Sequence, residues 1–247
     1  MSLQPPSISV VIPTLNEAVR IAATIANVRA TLPGAQIVVA DGGSHDATAQ
    51  IARRDGVRVI TTKPGRGGQL RAGAEVATGE LLLFLHADTL LPRTAARVIA
   101  VSFADPRVEL GTFRLAFDDG SAFLRASAWL TRFDSVFTRF GDQAIVVRRG
   151  FYARLGGFAS WPLFEDVDFL RRARRITRVW SFPASVTTSA RRFRRHGPMR
   201  QQLQNALLLL RYLAGTPPEV LAARYRNAPA SVAATPASAQ TVASRKA

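Results

Sequence analysis

The apolar positions of the first 85 residues fall into short runs, and each run stops at polar residues. Residues 8–12 stop at Pro13, Thr14, Asn16 and Glu17, and residues 37–40 stop at Asp41, Gly42, Gly43 and Ser44. Residues 57–61 lead into a glycine-rich stretch from Lys63 to Gln69, and residues 81–85 stop at His86 and Asp88. Continuous apolar runs of this length, rich in branched side chains, predict strands buried on both faces. Between them, helical spacing covers 17–31, 46–54 and 68–77, and Pro92 suits the first turn of a further helix. The alternation predicts an α/β fold with a Rossmann-like, mostly parallel central sheet flanked by helices. In such a sheet ligands bind outside the carboxyl ends of the strands, so the polar clusters converge on one crevice.

After about residue 105 the rhythm changes. The pattern predicts strands at 108–117, 143–147, 179–182 and 185–188. It predicts helices at 123–137, 150–155, 164–175 and 198–214. This is a smaller, mixed C-terminal half. From residue 227 onward the chain is Ala, Ser, Thr and Pro with little bulk, which predicts a disordered tail over 227–247.

Composition narrows the picture only a little. A 47 % hydrophobic content over 247 residues is enough for a sizeable core. The net charge is +16, and all but two of the basic residues are arginine. That balance favours anionic partners without specifying one. There is no cysteine, hence no disulfide and no thiolate metal site. No signal-peptide pattern and no apolar stretch near ~20 residues is found, so the expectation is a cytoplasmic protein, free or at the inner face of the membrane.

The clusters carry recognisable chemistry. Asp41 at a strand end can accept hydrogen bonds from a base or ribose, although alone it would read as a strand terminator beside a turn. Alternation places His86 and Asp88 on one side of their strand, where imidazole and carboxylate can meet a divalent metal and substrate phosphates. Glu165, Asp166 and Asp168 open a helix; the plain account is a favourable interaction with its dipole, and the sharper one is a general base. Gly65, Arg66, Gly67 and Gly68 can bring Arg66 and backbone N–H groups to phosphate, but the loop matches neither a P-loop nor a dinucleotide fingerprint. Arg191, Arg192, Arg194, Arg195 and His196 form a basic run that reads as a solvated loop or as a mobile segment over a diphosphate. Trp161, close to the acidic helix start, is the aromatic best placed to stack on a sugar.

Together these residues resemble the family 2 glycosyltransferases of GT-A fold. The resemblance rests on residues 10–17, 40–46, 65–69, 83–88 and 165–166 in this order, and covers about 7–215. It is closest to a compact bacterial subgroup of the arsenosugar-biosynthesis-like type, with His86, Ala87 and Asp88 in place of the usual Asp-X-Asp. It implies a single GT-A catalytic domain over 1–226, with a nucleotide-binding half of about 7–105 and an acceptor-side half of about 106–226. It implies a metal-dependent, inverting transfer of a sugar from a nucleotide-diphosphate donor of UDP or GDP type to an acceptor hydroxyl. By position, Pro13, Thr14, Glu17, Asp41, Arg66, Gln69, His86, Arg191 and Arg192 would bind the nucleotide sugar. Asp88 and His196 would bind Mn²⁺ or Mg²⁺. Asp166 would be the base, supported by Glu165, and Trp161 would meet the acceptor.

Two other readings compete. A sugar nucleotidyltransferase also combines sugar, nucleotide and metal, but its glycine-rich loop normally follows the first strand. A basic nucleic-acid-binding protein would show steep salt dependence and would leave the acidic clusters unexplained, so no nucleic acid is expected. Leu203, Ala206, Leu207, Leu210, Leu213 and Ala214 form an amphipathic stripe on the last predicted helix. Packing on the domain is its expected role; a homodimer, or a peripheral membrane contact serving a lipid-linked acceptor, are the alternatives.

Overall fold

The computed structural model describes residues 6–226. Its strands, in chain order, are β1 (Ile8–Thr14), β2 (Gln36–Asp41), β3 (Arg58–Thr61), β4 (Leu81–Phe84), β5 (Thr89–Leu90), β6 (Leu110–Phe117), β7 (Ile145–Arg148) and β8 (Trp180–Thr188). Its helices are α1 (Ala18–Thr31), α2 (Thr48–Arg54), α3 (Arg66–Glu75), α4 (Ala95–Phe103), α5 (Ala122–Leu130), α6 (Arg149–Arg154), α7 (Glu165–Arg174), α8 (Arg191–His196), α9 (Pro198–Leu213) and α10 (Pro218–Arg226).

The strands form one sheet in the order β3-β2-β1-β4-β7-β6-β8-β5. β3, β2, β1 and β4 run parallel, as their apolar runs and helical crossovers predict. β7 then runs antiparallel between β4 and β6, β8 is parallel to β6, and the short β5 closes the edge against β8. The antiparallel pairing of β7 has a consequence for the site. Phe84 faces Ile145 across the ladder, so the start of β7 lies beside the end of β4.

Alternation along the strands divides the core. Val10, Ile12, Leu81 and Leu83 face a cluster completed by Ile21, Ile25 and Val28 of α1. Val11, Leu82 and Phe84 face the other side, with Leu70 of α3, Phe158, Phe169 and Leu170. Gly73 lets α3 approach the sheet, since a Cβ there would stand 2.3 Å from Val11 Cγ1. A third cluster joins Phe164 and Val167 to Leu208, Leu209 and Tyr212 of α9 and Leu221 of α10.

The structure revises several sequence expectations. The helix expected over 123–137 stops at Leu130, because the Thr131 hydroxyl donates back to Ala128 O at 2.6 Å and accepts Leu115 N–H at 3.1 Å. The two strands expected at 179–182 and 185–188 are one strand, β8, with a register shift against β6 around the exposed Pro183. The basic run at 191–196 is not an irregular loop but helix α8. α10 lies where the sequence pattern assigns no element. The tail expected over 227–247 lies outside the described residues.

Candidate active site

The site begins where β1 and β2 end. Thr14 and Asp41 are register partners, and the Thr14 hydroxyl donates to Asp41 Oδ1 at 3.2 Å. Asp41 is buried, and it also accepts the Ser44 hydroxyl at 2.5 Å and the N–H groups of Gly43 and Ser44 at 3.1 and 2.9 Å. Its carboxylate therefore shapes the loop after β2. The loop after β1 is tied to it: Asn16 N–H donates to the Ser44 hydroxyl, and His45 N–H donates to Asn16 Oδ1, both at 2.9 Å. Asn16 takes a positive φ of 55°, which asparagine tolerates better than most residues. Beneath these loops Gln69 is buried, and its Nε2 donates to Thr14 O at 2.7 Å and Ala40 O at 2.8 Å. Gln69 thus bridges the two strand ends from below. Pro13, the register partner of Ala40, is half-buried at the same end of the sheet.

A second group surrounds Asp88. Arg191, the first residue of α8, grips both oxygens of Glu17, with Nη1 to Oε2 at 2.9 Å and Nη2 to Oε1. The same Nη2 stands 3.4 Å from Asp88 Oδ2. Burial pushes the Asp88 carboxyl up; Arg191 opposes that shift and Glu17 adds to it. Thus two carboxylates from the ends of β1 and β4 converge, and an arginine from the C-terminal half bridges them.

The third group is the most buried. The backbone turns into α7 through Phe164, which holds a left-handed φ of 63° and stacks on Tyr212 at a centroid distance of 4.9 Å. That turn delivers Glu165 and Asp166, both buried. Arg66 of α3 donates from Nε to Glu165 Oε1, and its Nη2 lies 3.5 Å from Asp166 Oδ2. Burial works against the charge on Arg66, yet Glu165 and Asp166 hold its pKa above the usual value. Asp166 Oδ2 also accepts Gly141 N–H at 2.6 Å, and Oδ1 accepts Val167 N–H at 2.8 Å. Glu165 Oε2 has no hydrogen-bond partner among the described residues, and burial lifts the pKa of this carboxyl to about 7. Asp168, by contrast, turns to a helix-face pair with Arg172 at 2.8 Å.

Two residues sit between these groups. His86, half-buried beyond β4, has its pKa lowered to about 3 by burial and by Arg66, so it is a neutral imidazole. Asp142, in the 3₁₀ turn before β7, has its pKa raised to about 7, first by burial and then by Asp166. Its Oδ1 is buried without a hydrogen-bond partner among the described residues. The sequence reading missed Asp142, since a single acid between Gly141 and Gln143 carries no local signal. The pairing of β7 with β4 is what brings it to the site.

Not all expected site residues meet. Trp161 contributes its backbone oxygen, which accepts Gly67 N–H at 3.0 Å, while its ring packs edge-on against Tyr212. Gly67 allows this contact, because a Cβ there would fall 2.1 Å from Ala159 O. Arg192 follows Arg191 on α8 and acts on the His86 charge. His196 ends α8, half-buried. Among the described residues, no group of three or more His, Asp or Glu side chains is arranged to hold a metal ion. Asp88 still fits a hard divalent cation. It is a partly buried carboxylate beside Glu17, its pKa raised chiefly by burial, and Mg²⁺ is commonly held by one or two carboxylates plus substrate phosphates.

The order and direction of the strands place the chain among proteins of GT-A fold. Solved structures of the same fold include the mannosyltransferase PcManGT from Pyrobaculum calidifontis, in complex with GDP-Man and Mn²⁺ (TM-score 0.65, 19 % identity, covering 90 % of this chain and 70 % of that one). They also include S. aureus TarS 1-349 in complex with UDP-GlcNAc (TM-score 0.60, 17 % identity, covering 74 % of this chain and 58 % of that one). Residues 9–156 match Glycosyl transferase family 2, and the chain belongs to that family. It is 33 % identical over 199 residues to the PGL/p-HBAD biosynthesis glycosyltransferase of Mycobacterium bovis (strain BCG / Pasteur 1173P2), covering 74 % of this chain and 73 % of the relative.

Proposed function

We propose that this glycosyltransferase uses a nucleoside-diphosphate sugar, inverts the anomeric centre and employs Asp166 as its base. The observation that carries the reading is the group of three carboxyls near the guanidinium of Arg66: Asp166 and Glu165, both buried, and the half-buried Asp142. Burial raises the Glu165 and Asp142 carboxyls to about 7, and Glu165 Oε2 and Asp142 Oδ1 have no hydrogen-bond partner among the described residues, so each is open to a hydroxyl group. Sugar and acceptor hydroxyls are groups of that kind.

In the proposed step a bond forms between the acceptor oxygen and the anomeric carbon. The bond from that carbon to the phosphate oxygen breaks, and its electron pair leaves with the nucleoside diphosphate. Asp166 takes the hydroxyl proton. Gly141 N–H and Arg66 fix the Asp166 carboxylate, so its orientation is set before substrate arrives. Glu165 holds Arg66 in place. Arg191 and Arg192 lie on the diphosphate side and offset the charge that develops there. His86, neutral, can donate or accept a hydrogen bond without adding charge. Asp88 would hold the divalent cation; Mn²⁺ or Mg²⁺, when bound, supplies Lewis-acid stabilisation of the leaving diphosphate. UDP- and GDP-sugar complexes of structures with this fold support a donor of that class.

The test is the stereochemistry of the product. With an active donor–acceptor pair, proton NMR of the new anomeric centre should show the opposite configuration to the donor, and Asp166→Asn should lower kcat by about 10²–10⁴-fold. Retained configuration, or an Asp166→Asn enzyme at wild-type rate, would refute the reading.

A further inference from the structure

α9 has two apolar faces, and the fold covers only one. Leu208, Leu209 and Tyr212 pack inward with Phe164, Val167 and Leu221. On the opposite side Met199, Leu203, Leu207 and Leu210 are 73 %, 71 %, 47 % and 54 % exposed. At about 100° per residue these four, together with the exposed Ala206 and Ala214, fall in one sector about 100° wide. Single exposed leucines are ordinary, but a contiguous stripe along a whole helix marks a binding surface. Of the stripe expected from the sequence to pack on the domain, Leu213 packs inward, and Leu203, Ala206, Leu207, Leu210 and Ala214 are turned outward.

Charge decides between occupants. Residues 191–216 contain Arg191, Arg192, Arg194, Arg195, Arg200 and Arg211, and no Asp or Glu. Arg200 and Arg211 are exposed and project along one border of the stripe. A second copy laid face to face on this surface would set arginines against arginines. Residues 227–247 offer no apolar side chain larger than valine and, among charged residues, only Arg245 and Lys246, so they match the surface poorly. An anionic lipid surface matches both features, with leucines at the acyl boundary and arginines at the headgroups. α9 has 16 residues, and no described helix is long and apolar enough to cross a membrane, so α9 would lie in the plane of the interface.

We propose that the outward face of α9 docks this enzyme onto an anionic lipid bilayer. The inward face of the same helix packs on Phe164, the residue preceding Glu165, and α8, one residue before α9, carries the arginine that bridges Glu17 and Asp88. Docking would thus set the acceptor side of the site next to the membrane surface. The proposal does not depend on the donor or the base assigned above.

The experiment is co-sedimentation of the full chain, without donor, with phosphatidylcholine vesicles and with phosphatidylcholine–phosphatidylglycerol vesicles at physiological salt. Wild type should bind the mixed vesicles and not the neutral ones. Leu203→Gln/Leu207→Gln keeps every charge and should weaken binding at least about tenfold; Arg200→Gln/Arg211→Gln should weaken it as well. Thermal melts check folding, with Met199→Gln/Leu210→Gln as the replacement pair. Three results would overturn the proposal. Wild type could leave the mixed vesicles in solution. The leucine variant could bind as well as wild type, which would mean adsorption by net charge alone. Light scattering could show a dimer that the leucine variant dissolves, which would give the face to a second copy.

Discussion

The backbone N–H of Gly141 donates to Asp166 Oδ2 at 2.6 Å, so the 3₁₀ turn before β7 holds the carboxylate at the head of α7. A Cβ on residue 141 would stand 3.0 Å from that oxygen and 3.1 Å from Asp166 Cβ. Gly141→Ala should therefore displace the carboxylate without touching the donor loops. We expect kcat to fall about 10–100-fold while the affinity for nucleoside diphosphate stays at the wild-type value. Calorimetry of diphosphate binding beside steady-state rates separates the two effects, and equal losses in both would contradict the assignment.

The site carboxyls make stability fall with rising pH. Asp142 and Glu165 start from ordinary values of 3.8 and 4.5 and are raised to about 7 in the fold. Between those limits the folded state holds more protons than the unfolded chain. The stability of the nucleotide-free protein therefore declines as pH rises from about 4 to about 7. Asp142→Asn removes one of these groups, so its stability relative to wild type should be greater at pH 8 than at pH 5. Chemical denaturation at the two pH values gives the comparison; an unchanged difference would mean that Asp142 is not buried beside Asp166.

Arg191 occupies the charge between Glu17 and Asp88. Removing it leaves two carboxylates facing each other, which favours any external cation and disfavours an anionic diphosphate. Arg191→Ala should bind Mn²⁺ more tightly than wild type in the absence of nucleotide and bind nucleoside diphosphate more weakly. Manganese titration followed by electron paramagnetic resonance reports the first change. Weaker manganese binding by the variant would contradict the bridge.

The resemblance implies that Gln69 binds the nucleotide sugar, and in the structure its amide nitrogen joins Thr14 O to Ala40 O. Gln69→Leu deprives both carbonyls of that donor and should cost about 1–3 kcal/mol in stability. Turnover per folded molecule should fall far less than in Asp166→Asn. Unfolding curves and rates measured on the same preparation test this, and an unaltered melting temperature would be inconsistent with it.

These cases show what was legible in the chain. The parallel half of the sheet could be read directly, because buried strands appear as uninterrupted apolar runs and their polar ends are local features. Asp41, His86 and Asp88 stand out at such strand ends, and Glu165 and Asp166 as an acidic helix start. Asp142 was not, because its place depends on the long-range pairing of Phe84 with Ile145. The direction of α9 was equally hidden. Leu203, Leu207 and Leu210 compete with Leu208, Leu209 and Tyr212 as a packing face, and only the partners Phe164, Val167 and Leu221 decide. Pro183 divides the pattern of β8 in the sequence, and the fold absorbs it as an irregularity against β6.

The most direct test of the account is thermal-shift binding of UDP, GDP, CDP and TDP, each with Mn²⁺ and with EDTA, to wild type and to Asp88→Ala. The account predicts that one diphosphate stabilises wild type strongly with Mn²⁺, weakly with EDTA, and that Asp88→Ala loses the metal-dependent part. Stabilisation by none of them, or equal stabilisation of the Asp88→Ala protein, would contradict a metal-assisted nucleoside-diphosphate site at Asp88.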